Sequence, residues 1–305
     1  MIAVKQESMD TKNQTWPPDT INYKSIAICG TEIFYREAGD GSKPNLLLLH
    51  GYPSSSHMFR NIIPKLSEQF HILAPDLPGF GFSETPDLEN FDYTFENFSN
   101  IMACFLTALG ITKTSFYLFD YGAPVIMRLI AANPSCAEML IFQNGTIHME
   151  GLGNGLKNTM ELFKNKSVDN LERLAKLVGP EYIKWEYTTG VKDPSKITSD
   201  TYSLDQVLME RKGLKEIHLA IKEDYKNNLV LYTTWQETLF KLQPPTLIVW
   251  GENDEVFTKQ GALLIHNEIK GSRLLFYPTG HFALEEFGAE IAHEILEYHQ
   301  SILPK

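Results

Sequence analysis

Apolar positions along this chain follow two rhythms. Short unbroken runs recur at "PNLLLLH" (44–50), "HILAPD" (71–76), "SFYLF" (115–119), "EMLIFQN" (138–144), "TLIVW" (246–250) and "LLFY" (274–277). Runs this compact are expected of central strands covered on both faces. Between them the spacing turns helical. "HMFRNIIPKLSEQF" puts Met58, Ile62, Leu66 and Phe70 on one side of a helix. "YTFENFSNIMACFLTALGI" (93–111) lines up Phe95, Phe98, Met102, Phe105, Leu106 and Leu109, with Thr94 placed to cap the start and Gly110 to stop the end. "PVIMRLIAANP" gives a further helix, and another closes the chain from about Ala289. Earlier, "SIAICGTEIFYREAG" alternates with period two on either side of Cys29-Gly30, the pattern of two short strands joined by a turn.

Strands alternating with helices predict an α/β fold with a mostly parallel sheet covered on both faces. The rhythm breaks between about 145 and 243, where the chain becomes more polar, richer in lysine and glutamate and helical in period. This divides the chain into an N-terminal arm (1–24, with Trp16 available to dock), a core (25–144 and 244–305) and a helical cap inserted over it (145–243). No internal repeat or low-complexity tract interrupts the pattern.

The 305 residues are 43% apolar and 21% charged, enough to bury a substantial core. A net charge of −11 argues against nucleic acid or an anionic membrane as partner. No apolar run approaches the roughly 20 residues that cross a bilayer, and the first residues lack the apolar stretch and cleavage site of a secretory signal. Cys29, Cys104 and Cys136 are odd in number and lack ligand-like spacing. They read as free thiols, so the expectation is a cytoplasmic enzyme in a reducing compartment. A homodimer is one assembly open to it. No phosphate loop, nucleotide fingerprint or metal cluster stands in the sequence, so neither cofactor nor metal is expected. The glycine-rich "GLGNG" (151–155) reads as a loop of the cap.

Three groups stand just beyond predicted strands, where open α/β sheets hold their ligands. Asp120 follows "SFYLF" at a strand-to-helix turn, and the small residues Gly122 and Ala123 allow that turn to be sharp. Asp254 follows "TLIVW" in "WGENDEVF", and His281 follows "LLFY" in "TGHFALEE". Singly, such an acid is a helix cap and such a histidine is structural. Their order in the chain, carboxylate, carboxylate, histidine, is that of nucleophile, acid and base on a strand-turn-helix elbow. His50 reads as a tie between loops, and Asp76 as a turn acid among glycines.

Together with "LLLLHGYPSSSHMFRNIIPKL" and "ILAPDLPGFGFSETP", these segments resemble the α/β-hydrolase superfamily, in its epoxide hydrolase and haloalkane dehalogenase branch. The resemblance spans nearly the whole chain after residue 25. It implies that Asp120 is the nucleophile, Asp254 the charge-relay acid and His281 the general base. Leu118 departs from the glycine that many relatives carry two places before the nucleophile. A carboxylate displaces a leaving group at saturated carbon without prior proton transfer and leaves an ester that water can split, whereas serine would leave an inert ether. Backbone N–H groups of Tyr52 and Tyr121 are the expected oxyanion donors.

Dehalogenases of this branch hold the departing halide with a tryptophan directly after the nucleophile and often an asparagine after "HG". Tyr121 and Tyr52 occupy those places here. Epoxide hydrolases use cap tyrosines to protonate the ring oxygen, and "EDYKNN" resembles their tyrosine-basic segment, which selects Tyr225 and, second, Tyr187. The expected function is therefore hydrolysis of an epoxide on a small apolar or aromatic organic substrate. A dehalogenase-like hydrolase is the alternative, and a ligand receptor on the same fold is the alternative of another class. The cap, hinged near 145 and 243, would close over the substrate.

Overall fold

The computed structural model describes residues 20–303, so most of the arm, Trp16 included, lies outside the described residues. The chain forms an α/β fold built on an eight-stranded sheet. In chain order the strands are β1 (Asn22–Ile28), β2 (Thr31–Ala38), β3 (Asn45–Leu49), β4 (His71–Pro75), β5 (Thr114–Phe119), β6 (Ala137–Gln143), β7 (Thr246–Gly251) and β8 (Arg273–Tyr277). Their spatial order is β1-β2-β4-β3-β5-β6-β7-β8. β1 and β2 form an antiparallel hairpin that pairs antiparallel to β4, and every later pairing is parallel. β1 begins at Asn22, inside the stretch expected to be a loose arm.

The apolar runs explain the centre. Leu46 to Leu49 on β3 and Phe116 to Phe119 on β5 are entirely buried, each side chain contributing about 2 kcal/mol through burial alone. Beside the sheet lie α1 (Ile63–Leu66), α2 (Phe95–Ala108) and α3 (Gly122–Ala132), and later α11 (Lys259–Glu268) and α12 (Ala283–Ile302). Between them the cap comprises α4 (Asn154–Lys164), α5 (Val168–Lys176), α6 (Pro180–Thr188), α7 (Ser199–Met209), α8 (Leu214–Asp224), α9 (Lys226–Leu229) and α10 (Tyr232–Leu242). "GLGNG" ends a 3-10 turn and then opens α4, so it is only partly loop.

α2 forms as its spacing predicts. Thr94 Oγ1 accepts from Asn97 N at 3.1 Å, Phe95, Phe98, Met102 and Phe105 are buried, and Gly110 leaves the helix with φ of 71°. Two helices differ from expectation. The segment 57–70 breaks into a 3-10 turn (Ser56–Phe59) and the single turn of α1. Pro64 suits a first turn but not the middle of a longer helix. The closing helix starts at Ala283, six residues early, and bends at Phe287 (φ −123°, ψ 23°) just before Gly288.

The cysteines also differ from expectation. Cys29, at the β1–β2 turn, and Cys104, on α2, are joined in a disulfide, and only Cys136 is a free thiol among the described residues. The pair is far apart in sequence and carries no spacing signature, so only the fold brings the two sulfurs together. The argument for a reducing compartment that rested on three free thiols therefore falls. No helix among the described residues is long and apolar enough to cross a membrane.

Arg128 of α3 ties core to cap. Its guanidinium donates to Asn228 Oδ1 on α9 at 2.7 Å and to Glu96 on α2 at 3.1 Å.

Candidate active site

Asp120 ends β5 in the left-handed region, with φ of 44°. A non-glycine residue there costs about 1–2 kcal/mol, offset by what surrounds it. The turn requires Gly122, because a Cβ at that position would stand 2.5 Å from the carbonyl oxygen of Leu49. It requires Gly51 equally, since a Cβ there would overlap the Asp120 carboxylate. Leu118, where glycine is usual, is fully buried in β5, and the elbow forms nonetheless.

The Asp120 carboxylate is buried, which raises its pKa. Opposing that rise are the nearby His281, the backbone N–H groups of Tyr121 and Tyr52, and the Lys222 ammonium. The Tyr52 N–H donates to Asp120 Oδ1 at 2.5 Å. The two amides expected as oxyanion donors thus already lie on the Asp120 carboxylate, where charge would develop if an ester formed there and broke down.

Behind Asp120, His281 Nδ1 lies 2.8 Å from Asp254 Oδ2, while its Nε2 lies 4.0 Å from Asp120 Oδ2. Burial alone would lower the imidazole, but Asp254 and then Asp120 outweigh it and hold His281 up to about 9. Because Nδ1 donates to Asp254, Nε2 is the nitrogen that loses and regains the exchangeable proton. It has no hydrogen-bond partner among the described residues.

Asp254 is itself held rigidly. Val256 N donates to Oδ1 at 2.7 Å, and Asn144 Nδ2 donates to Oδ2 at 2.8 Å. Asn144, at the end of β6 with φ of 42°, also accepts from Gly251 N at 3.0 Å. Sequence reasoning missed this residue. Its one visible signal was an asparagine at the C-terminal end of a strand adjacent to that of Asp254.

His50 and Asp76 hold loops. Leu77 N donates to His50 Nε2 at 3.0 Å, which leaves Nδ1 to donate to Gly51 O at 3.0 Å. Asp76 accepts from Ser56 N and Phe82 N at 2.7 and 2.8 Å.

A small cavity, about 30 Å³, opens from Asp120 beneath the cap, lined by Tyr52, Tyr121, Tyr182, Trp185, Lys222 and Phe257 among others. The two cap tyrosines singled out by sequence are not among its lining residues. Tyr225 packs 6.0 Å from the ring of Tyr121, and its hydroxyl pairs with that of Tyr232 at 3.2 Å. Tyr187 stacks on Phe282 at 3.7 Å and donates its hydroxyl to Asp205 at 2.6 Å. The lining instead includes Tyr182, Glu186 and Lys222, all on α6 and α8. Lys222 lies one turn before Tyr225 on α8, so the "IKEDY" spacing carried a signal for it. Burial pushes Glu186 up to about 8, so its carboxyl is mostly neutral at pH 7. No group of three or more potential ligands capable of holding a metal ion occurs among the described residues.

This arrangement can deliver a carboxylate to saturated carbon and then a water to the resulting ester. The chain's relatives are of the same kind. Residues 44–172 match the α/β-hydrolase fold family. The uncharacterized hydrolase YNR064C of Saccharomyces cerevisiae is 40% identical over 88% of this chain and 93% of its own length. A haloalkane dehalogenase of Psychrobacter cryohalolentis is 37% identical over 87% of this chain and 86% of its own. Among solved structures, haloalkane dehalogenase DbeA from Bradyrhizobium elkani aligns with a TM-score of 0.73, at 21% identity over 92% of this chain and all of its own. DBJA aligns with a TM-score of 0.80, at 20% identity over 93% and 98% of the two chains. With an elbow carrying an aspartate and relatives of this length and identity, the chain belongs to the α/β-hydrolase superfamily, in its haloalkane dehalogenase-like branch.

Proposed function

We propose that this protein hydrolyses an epoxide to a vicinal diol through an ester on Asp120. Asp120 attacks a ring carbon. Water activated by His281 then attacks the ester carbonyl, while Asp254, itself held by Asn144, orients the imidazole and the amides of Tyr52 and Tyr121 receive the oxyanion. The observation that carries the two-step route is the alignment of Asp120, His281 Nε2 at 4.0 Å and Asp254 at 2.8 Å from Nδ1.

The choice of leaving group rests on the pocket. Phenols occupy the two places where halide-binding tryptophan and asparagine would stand, and the cap adds Tyr182, Glu186 and Lys222, all of which carry exchangeable protons. An opening epoxide needs a proton on its oxygen, and a departing halide does not. Dehalogenation is the second reading, favoured by the dehalogenases among the full-length relatives and by Trp185, which brings an indole to the cavity wall.

A single turnover in heavy-oxygen water with panels of epoxides and haloalkanes tests both readings. Label in the Asp120 peptide after diol formation supports the proposal, and label in the diol alone sinks it. Halide release with no diol from any epoxide assigns the dehalogenase. Tight ligand binding without turnover of either panel assigns a receptor.

A further inference from the structure

Lys222 is buried on α8, yet among the described residues its ammonium makes no hydrogen bond and no ion pair. Its Nζ lies 3.5 Å from the centroid of the Tyr52 ring. The Tyr52 amide is the group bonded to Asp120. The cation therefore stands over the side chain that replaces a halide-binding asparagine, on the wall of the cavity that holds the nucleophile. Beside it on α6, Glu186 keeps one buried oxygen without a partner, with the Tyr182 hydroxyl nearby.

We infer that Lys222 is the acid that protonates the leaving oxygen, in place of a pair of cap tyrosines. This rests on the epoxide reading and supplies its missing donor. The tyrosine hydroxyls first expected in that role are engaged with Tyr232 and Asp205, whereas the Lys222 ammonium has donors free.

The atoms and charges balance. An Asp120 carboxylate oxygen bonds to a ring carbon, and the ring C–O bond breaks with its electron pair on oxygen. That oxygen takes a proton from the ammonium, leaving a neutral amine. With the Asp120 charge gone, the resting imidazolium of His281 first releases its proton to solvent, and the neutral ring then removes a proton from water, whose oxygen adds to the ester carbonyl. The acyl C–O bond breaks, and the departing alkoxide takes the proton from the imidazolium. The Asp120 carboxyl left behind returns its own proton to Lys222, and His281 regains its resting proton from solvent. The sum is epoxide plus water to diol.

The charges facing Lys222 set the timing. They are Asp120 at the end of β5 and Glu186 on α6, with His218 one turn back on its own helix. Burial lowers the Lys222 pKa, and the two carboxyl groups oppose that. Glu186 is mostly neutral at pH 7, so the support comes from Asp120. Esterification erases that charge at the moment the leaving oxygen needs a proton, and the ammonium becomes a stronger acid as the ring opens.

Two experiments test this. The first titrates Lys222 by nitrogen NMR in the wild type and in Asp120→Asn, a neutral mimic of the ester. A downward shift of about one unit or more is expected, and an unchanged midpoint overturns the coupling. The second follows ester formation on Asp120 in single turnovers with neutral epoxides and with epoxides bearing a carboxylate. Lys222→Met should slow alkylation by both about 10²- to 10⁴-fold. Alkylation by an alkyl bromide of matching skeleton, where it occurs, should fall less than tenfold. Lys222→Arg keeps the charge without releasing a proton and should not restore the rate. Three results overturn the assignment: wild-type alkylation by Lys222→Met, recovery in Lys222→Arg, or a loss confined to KM for the carboxylate-bearing epoxides, which would make Lys222 a substrate anchor. No Asp120 ester from any epoxide in the wild type overturns the epoxide reading and this inference with it. An ester that forms normally without Lys222 overturns this inference alone.

Discussion

His281 Nε2 stands 4.0 Å from Asp120 Oδ2, beyond hydrogen-bond range and close enough for each charge to feel the other. On the proposed route a base so placed is not needed to activate the carboxylate, which would attack as an anion. It is placed for the second half of the reaction, when water must reach the carbonyl of the ester.

Replacing His281 with glutamine should therefore spare the first half and stall the second. One equivalent of substrate should be consumed in a burst, followed by turnover slowed about 10²- to 10⁴-fold. Intact-mass spectrometry should show the protein heavier by one substrate. Normal steady-state turnover, or loss of the burst itself, would remove His281 from the role of base.

The pH behaviour of His281 follows from its neighbours. Asp254 and Asp120 hold its pKa at about 9, so in the resting protein the imidazole is charged at pH 7. Esterification removes one of those negative charges, which lowers the pKa and frees Nε2 as a base. NMR titration should place the free-protein midpoint near 9, and Asp120→Asn should lower it by about one unit or more. A midpoint indifferent to Asp120 would break the electrostatic link.

Glu186 makes a stability prediction with a definite sign. Burial raises its pKa from 4.5 to about 8, so folding favours the protonated form. Below pH 4.5 the group imposes no charging cost. Between 4.5 and 8 that cost grows with pH, and above 8 it is complete. At pH 7 the penalty is roughly 3 kcal/mol. Glu186→Gln should thus raise the melting temperature at pH 7–8 and leave it nearly unchanged at pH 4. Equal effects at both pH values would refute the link to ionisation.

The Cys29–Cys104 disulfide closes a separation of 75 residues. Its loss should destabilise the protein by about 4 kcal/mol on the loop-entropy account. Serine substitution at both positions, or reduction before thermal melting, should lower the melting temperature. Mass measurement after thiol blocking should find one free cysteine in the unreduced protein, and three would show that the bond does not form.

The sheet was legible in the sequence because strands buried on both faces leave unbroken apolar runs. Asp120, Asp254 and His281 stood out because each follows such a run. Asn144 did not, since its role depends on β6 lying beside β7, a sheet-order fact that no local pattern encodes. Lys222 and Glu186 were hidden for a different reason. On α6 and α8 they look like ordinary polar positions of amphipathic helices, and only cap packing turns them inward. The disulfide was missed because pairing depends on tertiary proximity between a turn and a distant helix.

The insertion point at Asn144 has a consequence for how such a protein diversifies. Asp120, Asp254 and His281 are all anchored in the core, and everything the cap contributes to the cavity lies between the ends of β6 and β7. Apart from Lys222, chemistry and selectivity would thus be inherited on separate stretches of one gene. A library confined to residues 177–225 that spares Lys222 could exchange one clientele of substrates for another, while the reaction that consumes them passes unaltered from parent to offspring.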